Sequence, residues 1–483
     1  MVIPQNSSFC PRKMPFSHFE NNLTKKSRLL LGLGLSLLVG VQNVLALPKT
    51  FAAVELSRVG SNEGATDSQP AGGNGARPAA EVLSGLSDGV KKITLSNGLR
   101  ILIYRRGFAP VFSGQIWIKV GGVNEQLGKT GAAHMLEHMA FKGTSKIGTK
   151  DFSKEKGLLA ELEAEMQKAQ DDPQSIDPEK MRGLYQELNK LWVPNEFSRI
   201  YQRRGAVGLN AATSKDYTMY LVQLPVVDFE LWCWMESERL LNPVFREFYK
   251  EREVVMEERR MRTDDSPEGR VYEAMLAAAF WAHPNRFPVI GWANDIRSLT
   301  ATDSQQLHDT YYRADNMVIS LVGDLDVDAI RPMLEQYFGR LPKGVGEIPK
   351  ITTVEEPQRG ERVVEVQYDA KPSFSMAYHK PVYPNKDDIY FSLLHSLLGD
   401  GRSSVFYREL VIERQLAIGV DTSEAPGNLF PSLFYIAGMP RDGVTNEQLR
   451  DEVQKILDRL KEKLVSESDF EAAKKRVRTS FLG

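Results

Sequence analysis

The 483-residue sequence predicts an α+β protein built as two repeating domains, and three observations predict it. A chain of this length exceeds one ordinary hydrophobic core, so two large domains are the default. Short apolar runs with strand character alternate with longer segments of helical period. The order of strands then helix in the first half recurs after Leu341-Pro-Lys-Gly-Val-Gly-Glu-Ile-Pro349, whose glycines and prolines give it linker chemistry.

The N-terminus comes first. Lys25-Lys26-Ser27-Arg28 precedes the apolar run Leu29 to Val41, and small residues follow up to Ala53. A basic patch, a short apolar stretch and small residues make a secretory signal peptide, and the run is shorter than the roughly 20 residues of a comfortable membrane span. Residues 1–53 are therefore expected to be a signal peptide or anchor. The protein is expected to be exported, to a periplasm or cell envelope, with membrane anchorage or an organelle as the alternative and no stable membrane span after processing. Residues 54–88, rich in Gly, Ser, Asn, Ala and Pro, are expected to form a disordered linker.

Order is expected from residue 89. Ile93 to Tyr104 has an apolar-rich hairpin pattern with Asn97-Gly98 at the turn, and Val111 to Val120 is a second strand ended by Gly121-Gly122. Gly131-Ala-Ala-His134-Met-Leu-Glu137-His138-Met-Ala-Phe-Lys-Gly-Thr144 carries no Gly or Pro from Ala132 to Lys142 and is expected to be helical. Residues 154–204, rich in Glu, Lys and Gln and broken at Asp171-Asp172-Pro173, are expected to be an inserted, solvated helical hairpin. Strands are then expected at Ala206 to Ser214, Tyr217 to Leu224 and Val318 to Leu325. Helices are expected at Phe229 to Leu241, Phe245 to Arg262 and Ala329 to Phe338. Residues 89–342 make the first domain and 350–483 the second. In the second, strands are expected at Glu361 to Val366 and Phe374 to His379, then a helix at Asp387 to Leu398. That helix offers only His395, a lone histidine and hence structural, so the second domain is expected to bind no metal.

Composition narrows the function classes. Charged residues are 26% of the chain, hydrophobic residues 42%, and the net charge is −2, with no basic stripe to recruit nucleic acid. Only Cys10 and Cys233 are present, which excludes a disulfide framework and a cysteine metal site.

The chemistry lies in His134-x-x-Glu137-His138. Helix positions i and i+4 share a face, so the two histidines can hold one metal ion, and Glu137 can reach a water on it as general base. Two histidines leave zinc one protein ligand short. The acidic helix Lys250-Glu251-Arg-Glu253-Val-Val-Met-Glu257-Glu258 offers the third, and spacing alone does not choose among Glu251, Glu257 and Glu258.

Taken together, Gly131 to Thr144, Gly208-Leu-Asn210-Ala211-Ala212-Thr213-Ser, Glu251 to Arg262, and His283-Pro284 with Pro288-Val-Ile-Gly-Trp292 resemble the inverted-zincin metallopeptidases. That family is typified by pitrilysin, insulin-degrading enzyme and the mitochondrial processing peptidase β subunit. The chain looks closest to its small two-domain bacterial branch. The resemblance implies two homologous domains, each a mixed, mainly antiparallel sheet packed with helices, forming half of a clamshell. It implies one Zn2+ held by His134, His138 and Glu258, with Glu251 tuning the site through a ligand. Asn210, Ala211, Ala212 and Thr213 would be the edge on which a peptide substrate is laid as an added β-strand. The implied activity is zinc-dependent endopeptidase hydrolysis of short or unfolded peptides, with Glu137 as general base. Zinc over manganese or cobalt follows from ligand type.

Three departures matter. The spacing from His138 to Glu258 is longer than usual in the family, and residues 154–204 account for it. Where members that work alone carry a substrate-gripping Arg and Tyr, this chain has Val411 and Ile418, neither of which donates a hydrogen bond. A heterodimer is therefore expected, with a homologous subunit that lacks the zinc motif and supplies the Arg and Tyr. The chain also ends within a segment that reads as helical from Glu467, so the second domain is expected to be C-terminally truncated. The alternative function is a non-catalytic structural or interaction subunit that keeps the fold, or a metal-carrying peptide-binding module. Turnover that depends on Glu137 separates these.

Overall fold

The structure is a computed structural model that describes residues 89–480. The signal-peptide and linker expectations for residues 1–88 lie outside the described residues. Among the described residues no helix is long and apolar enough to cross a membrane.

The first sheet has six strands: β1 (Val90–Thr94), β2 (Arg100–Arg105), β3 (Val111–Ile118), β4 (Val207–Thr213), β5 (Thr218–Pro225) and β6 (Met317–Gly323). Their order is β1-β2-β6-β3-β5-β4. Only β2 and β6 pair in parallel; the other ladders are antiparallel, and Asn97-Gly98 closes β1 onto β2 as expected. Period-two alternation puts Phe112, Ile116 and Ile118 of β3 into the core beside Ile101, Ile103, Ile319, Leu321, Val222 and Leu224. Trp232 packs across this face, and a Cβ at Gly114 would lie 2.7 Å from its indole, so β3 needs glycine there.

Among the described residues, nine α-helices lie between β3 and β6. They are α1 (Ala132–Met139), α2 (Phe152–Asp171), α3 (Pro178–Leu191), α4 (Glu196–Arg203), α5 (Phe229–Leu241), α6 (Phe248–Arg259), α7 (Pro267–Ala279) and α8 (Ala293–Ser298), followed by α9 (Ala301–Tyr311) just before β6. The chain then runs through α10 (Val327–Phe338). Helix α1 is apolar on two sides: Leu136 and Ala140 face the sheet core, whereas Ala132, Met135 and Met139 face a second cluster. That leaves one side for His134, Glu137 and His138.

The insertion at 154–204 differs from a solvated hairpin. Leu162 of α2 and Leu184 and Leu188 of α3 pack with Trp192 against Met135, Met139, Phe248, Tyr249 and Val255, so one face of the hairpin joins both α1 and α6. The third helix, α4, was not foreseen. Its Phe197 and Tyr201 stand at i and i+4 and enter the main core on one face. The acidic helix α6 is also shorter than expected and ends in a π-helical turn, Arg260–Asp264.

The second sheet has three strands, β7 (Phe374–Lys380), β8 (Ala417–Ala425) and β9 (Ser432–Pro440), in the order β7-β9-β8, all antiparallel. Helices α11 (Asp388–Leu398), α12 (Asn446–Glu462) and α13 (Glu467–Ser480) pack on it around Leu397, Phe406, Leu410, Ile436, Leu449 and Val453. The succession β7, α11, β8, β9, α12 repeats β3, α1, β4, β5, α5, and the sheet orders β7-β9-β8 and β3-β5-β4 coincide. His395 on α11 shares a hydrogen bond with Thr422 Oγ1 at 2.8 Å.

One expected strand is absent. Glu361 to Val366 has strand composition, but it forms no ladder among the described residues, and Val363 and Val364 are exposed. Its contacts are made by side chains at the end of α7. Arg362 donates to the carbonyls of Ala278 (2.8 Å) and Ala279 (3.1 Å), and Glu355 accepts the backbone N–H groups of Trp281, Ala282 and His283 at 2.8–2.9 Å.

Burial opposes ionisation of Glu355, but the three N–H donors outweigh it and hold the carboxyl below its usual range. A carboxyl depressed in the folded state stabilises above its unfolded pKa, and that stability is lost as pH falls through the folded value. Glu355→Ala is expected to cost about 1–3 kcal/mol at pH 7. The difference from wild type should shrink below about pH 4.5, as denaturant unfolding at both pH values would measure.

Candidate metal centre

The site is made where α1 crosses α6. His134 Nε2 lies 3.7 Å from Glu258 Oε1, and His138 Nε2 lies 3.4 Å from Glu258 Oε2. One ligand atom from each of His134, His138 and Glu258 falls within 4.8 Å of the others. The imidazole rings meet edge to face with centroids 4.7 Å apart.

Geometry distinguishes the three glutamates that spacing left open. Glu257 lies on the outer side of α6, half exposed and paired with Arg260. Glu251 reaches the other nitrogen of His138, Nδ1, at 3.0 Å, and its second oxygen accepts from Lys142 Nζ at 2.6 Å. Glu258 alone faces both histidines, and Arg262, one turn on, holds its Oε1 at 2.8 Å.

Glu137 is buried beside them, and its Oε2 accepts the hydroxyl of Thr213 at 2.6 Å. Thr213 is the last residue of β4. Asn210, Ala211, Ala212 and Thr213 pair with Leu221, Tyr220, Met219 and Thr218 of β5. Since β4 ends the sheet order, its other edge has no strand against it among the described residues. Val411 is buried in the second core and Ile418 is exposed on β8.

The electrostatics follow from burial and partners. Burial, with the neighbouring His138, pushes His134 well below the usual imidazole range and keeps it neutral. Burial would lower His138 too, but the carboxylates of Glu251 and Glu258 overcome it and raise its pKa. Burial opposes ionisation of those carboxylates, yet His138 with Lys142, and His138 with His134 and Arg262, hold them at about 2. Glu137 is raised by burial, against the Thr213 hydrogen bond. The centre is thus two imidazoles and a carboxylate gathered on one point, His134 buried and the other two partly exposed, with a nitrogen of His134, Nδ1, that has no hydrogen-bond partner. Two imidazoles and a carboxylate at this spread fit a four-coordinate zinc ion. A carboxylate on the outer nitrogen of a ligating histidine is the usual way to fix its tautomer.

Sequence reasoning missed the residues that hold these helices. Glu125, ahead of α1, accepts backbone N–H groups from its first turn. Arg246, ahead of α6, donates to the carbonyls of Lys142, Thr144 and Ile147. Neither lies in a recognisable motif, and isolated charges near glycines carry no signal that they will be buried.

The repeat of sheet order, together with the motif helix, matches known proteins along the chain. The model "Insulinase (Peptidase family M16)" matches residues 101–167, which include His134, Glu137 and His138. The model "Peptidase M16 inactive domain" matches residues 298–477, which include none of these three and not Glu258. Together they span more than half of the sequence. The chain belongs to the M16 peptidase family. It is 29% identical over 399 residues to the zinc protease PqqE of Helicobacter pylori, covering 81% of this chain and 79% of that protein. It is 26% identical over 315 residues to the mitochondrial-processing peptidase subunit beta of Caenorhabditis elegans, covering 64% and 57%. The crystal structure of a protease from Helicobacter pylori superimposes with a TM-score of 0.69 at 26% identity, covering 81% of this chain and 85% of that one. The α+β, two-repeat architecture expected from the sequence is that of these M16 structures.

Glu251→Gln is expected to weaken Zn2+ binding about 10- to 100-fold through His138. Glu257→Gln, facing Arg260, is expected to leave it unchanged. Competition with a chromophoric chelator measures both.

Proposed function

We propose that this M16 family member is a zinc-dependent endopeptidase that hydrolyses short or unfolded peptides. The observation that carries the proposal is the convergence of His134, His138 and Glu258 beside a buried Glu137 whose carboxylate is oriented by Thr213. The relative named a zinc protease supports the same chemistry.

In this mechanism His134, His138 and Glu258 hold the ion, and Glu251 orients His138 through Nδ1. A zinc ion bound there supplies Lewis acidity to the peptide carbonyl and to the attacking water. Glu137, its basicity raised by burial, takes the proton of that water and returns it to the leaving amine. Thr213 fixes the carboxylate by one oxygen and so sets the direction of proton transfer. A peptide added antiparallel or parallel to β4 would be held by backbone hydrogen bonds at Asn210, Ala211 and Ala212, which tolerate many side chains.

Val411 and Ile418 cannot hydrogen-bond substrate, so the chain acts as the metal-bearing subunit of a heterodimer whose homologous partner supplies Arg and Tyr. A related chain is itself named as a subunit. The residue 89–342 stretch is the metal-bearing domain and 350–483 the second, and the basic and apolar N-terminal leader directs export.

The test is cleavage of a quenched, unstructured peptide by the full chain, alone and mixed with a homologue that lacks the motif. Chelator-sensitive cleavage in the mixture only is expected. Glu137→Gln should lower kcat about 10²- to 10⁴-fold with zinc still bound. Cleavage by the chain alone removes the partner from the proposal. Zinc binding without cleavage in either would favour a structural or interaction subunit.

A further inference from the structure

We propose that Glu125 is a positioning residue for Glu137 and His134: it caps α1 from outside the helix and ties it to the turn that follows Thr213. The proposal deepens the peptidase function above and rests on it.

The first turn of a helix leaves backbone N–H groups without internal partners, and in a buried place they need acceptors. The residue at the start of α1 is Gly131, at φ 90°, and it has no side chain to serve. None could stand there, because a Cβ at Gly131 would lie 2.6 Å from the carbonyl of Ile290. The cap comes instead from Glu125, six residues upstream. Its Oε2 accepts the N–H of Gly131 at 2.9 Å and its Oε1 the N–H of Ala133 at 2.8 Å. Ala133 immediately precedes His134, and Glu137 is one turn further on.

The same short segment is fixed at its other end to the β4–β5 turn. Gly122 N–H donates to Ser214 at 3.0 Å and Val123 N–H to Lys215 at 3.1 Å. A Cβ at Gly121 would lie 2.3 Å from the Ser214 carbonyl, so this approach needs glycine. Burial raises the Glu125 carboxyl to about 8, against the two N–H donors and the charge of Lys215, which is itself buried and donates to the Phe287 carbonyl. Residues 121–125 therefore connect two things that must keep register: the first turn of α1, and the turn that follows Thr213. The Thr213 hydroxyl to Glu137 carboxylate contact at 2.6 Å depends on that register.

The experiment compares Glu125→Ala and Glu125→Gln in the full chain, with the partner if cleavage requires it. The readouts are kcat and KM for the quenched peptide, Zn2+ affinity by chelator competition, and circular dichroism. Glu125→Ala is expected to lower kcat about 10- to 100-fold with KM nearly unchanged. Glu125→Gln, equal in length with one acceptor kept, should recover part of that loss. Wild-type kcat in Glu125→Ala, or a loss in KM alone, overturns the proposal. If Glu125→Ala does not fold, Glu125→Gln decides: lowered kcat with a wild-type spectrum supports it, and wild-type kcat overturns it. If the wild type cleaves nothing, the peptidase function fails separately. Zinc affinity then decides, with weaker binding in Glu125→Ala than in Glu125→Gln expected and equal binding fatal.

Discussion

The crossing of α1 over α6 puts two imidazoles and three carboxylates into one shielded place, and the rest of the first half of the chain is arranged to sustain it. Buried charges are costly unless paired and hydrogen-bonded. Here Glu251 has His138 on one oxygen and Lys142 on the other, and Glu258 faces both histidines with Arg262 on its flank. The cations sit outside and the histidines inside, so the field of the carboxylates is directed to the point between the two helices. Neither helix would adopt this placement alone, because an isolated helix of this length is marginal in water and gains its stability from packing.

That packing runs through the insertion. Arg246 is buried just ahead of α6 and reaches back to three carbonyls of the loop that leaves α1. Glu155 of α2 neutralises it through Oε2 at 3.0 Å, and Trp192, just after α3, donates to the same carboxylate at 2.8 Å. One ion pair thus joins the end of the motif helix, the start of the acidic helix and both arms of the inserted hairpin. Removing one member would leave an uncompensated charge in a dry interface, the costliest way to alter such a pair. The hairpin is therefore a brace on α1 and α6, with its leucines turned to them.

The second half keeps the same plan with different side chains on its first helix. Helix α11 occupies the place of α1, and the contact between helix and strand is His395 with Thr422 where the first half has Glu137 with Thr213. A polar contact between the helix and its hairpin is kept in both, which points to packing geometry as the reason for the repeat.

Much of this was legible in local spacing. Strand alternation in β3, the Asn97-Gly98 turn and the His134, Glu137, His138 face of α1 are set by periods of two and 3.6, which operate within a few residues. Glu361 to Val366 failed on the same ground: composition favours a strand, but a ladder needs a partner, and side-chain contacts with α7 took its place. Spacing left Glu258, Glu257 and Glu251 open and family resemblance pointed to Glu258; its approach to both histidines, the inward face of the inserted hairpin, and the capping of α1 by Glu125 are visible only in the tertiary structure. Each depends on elements far apart in sequence being pressed together, and burial is what turns an ordinary glutamate into an acceptor aimed at one point.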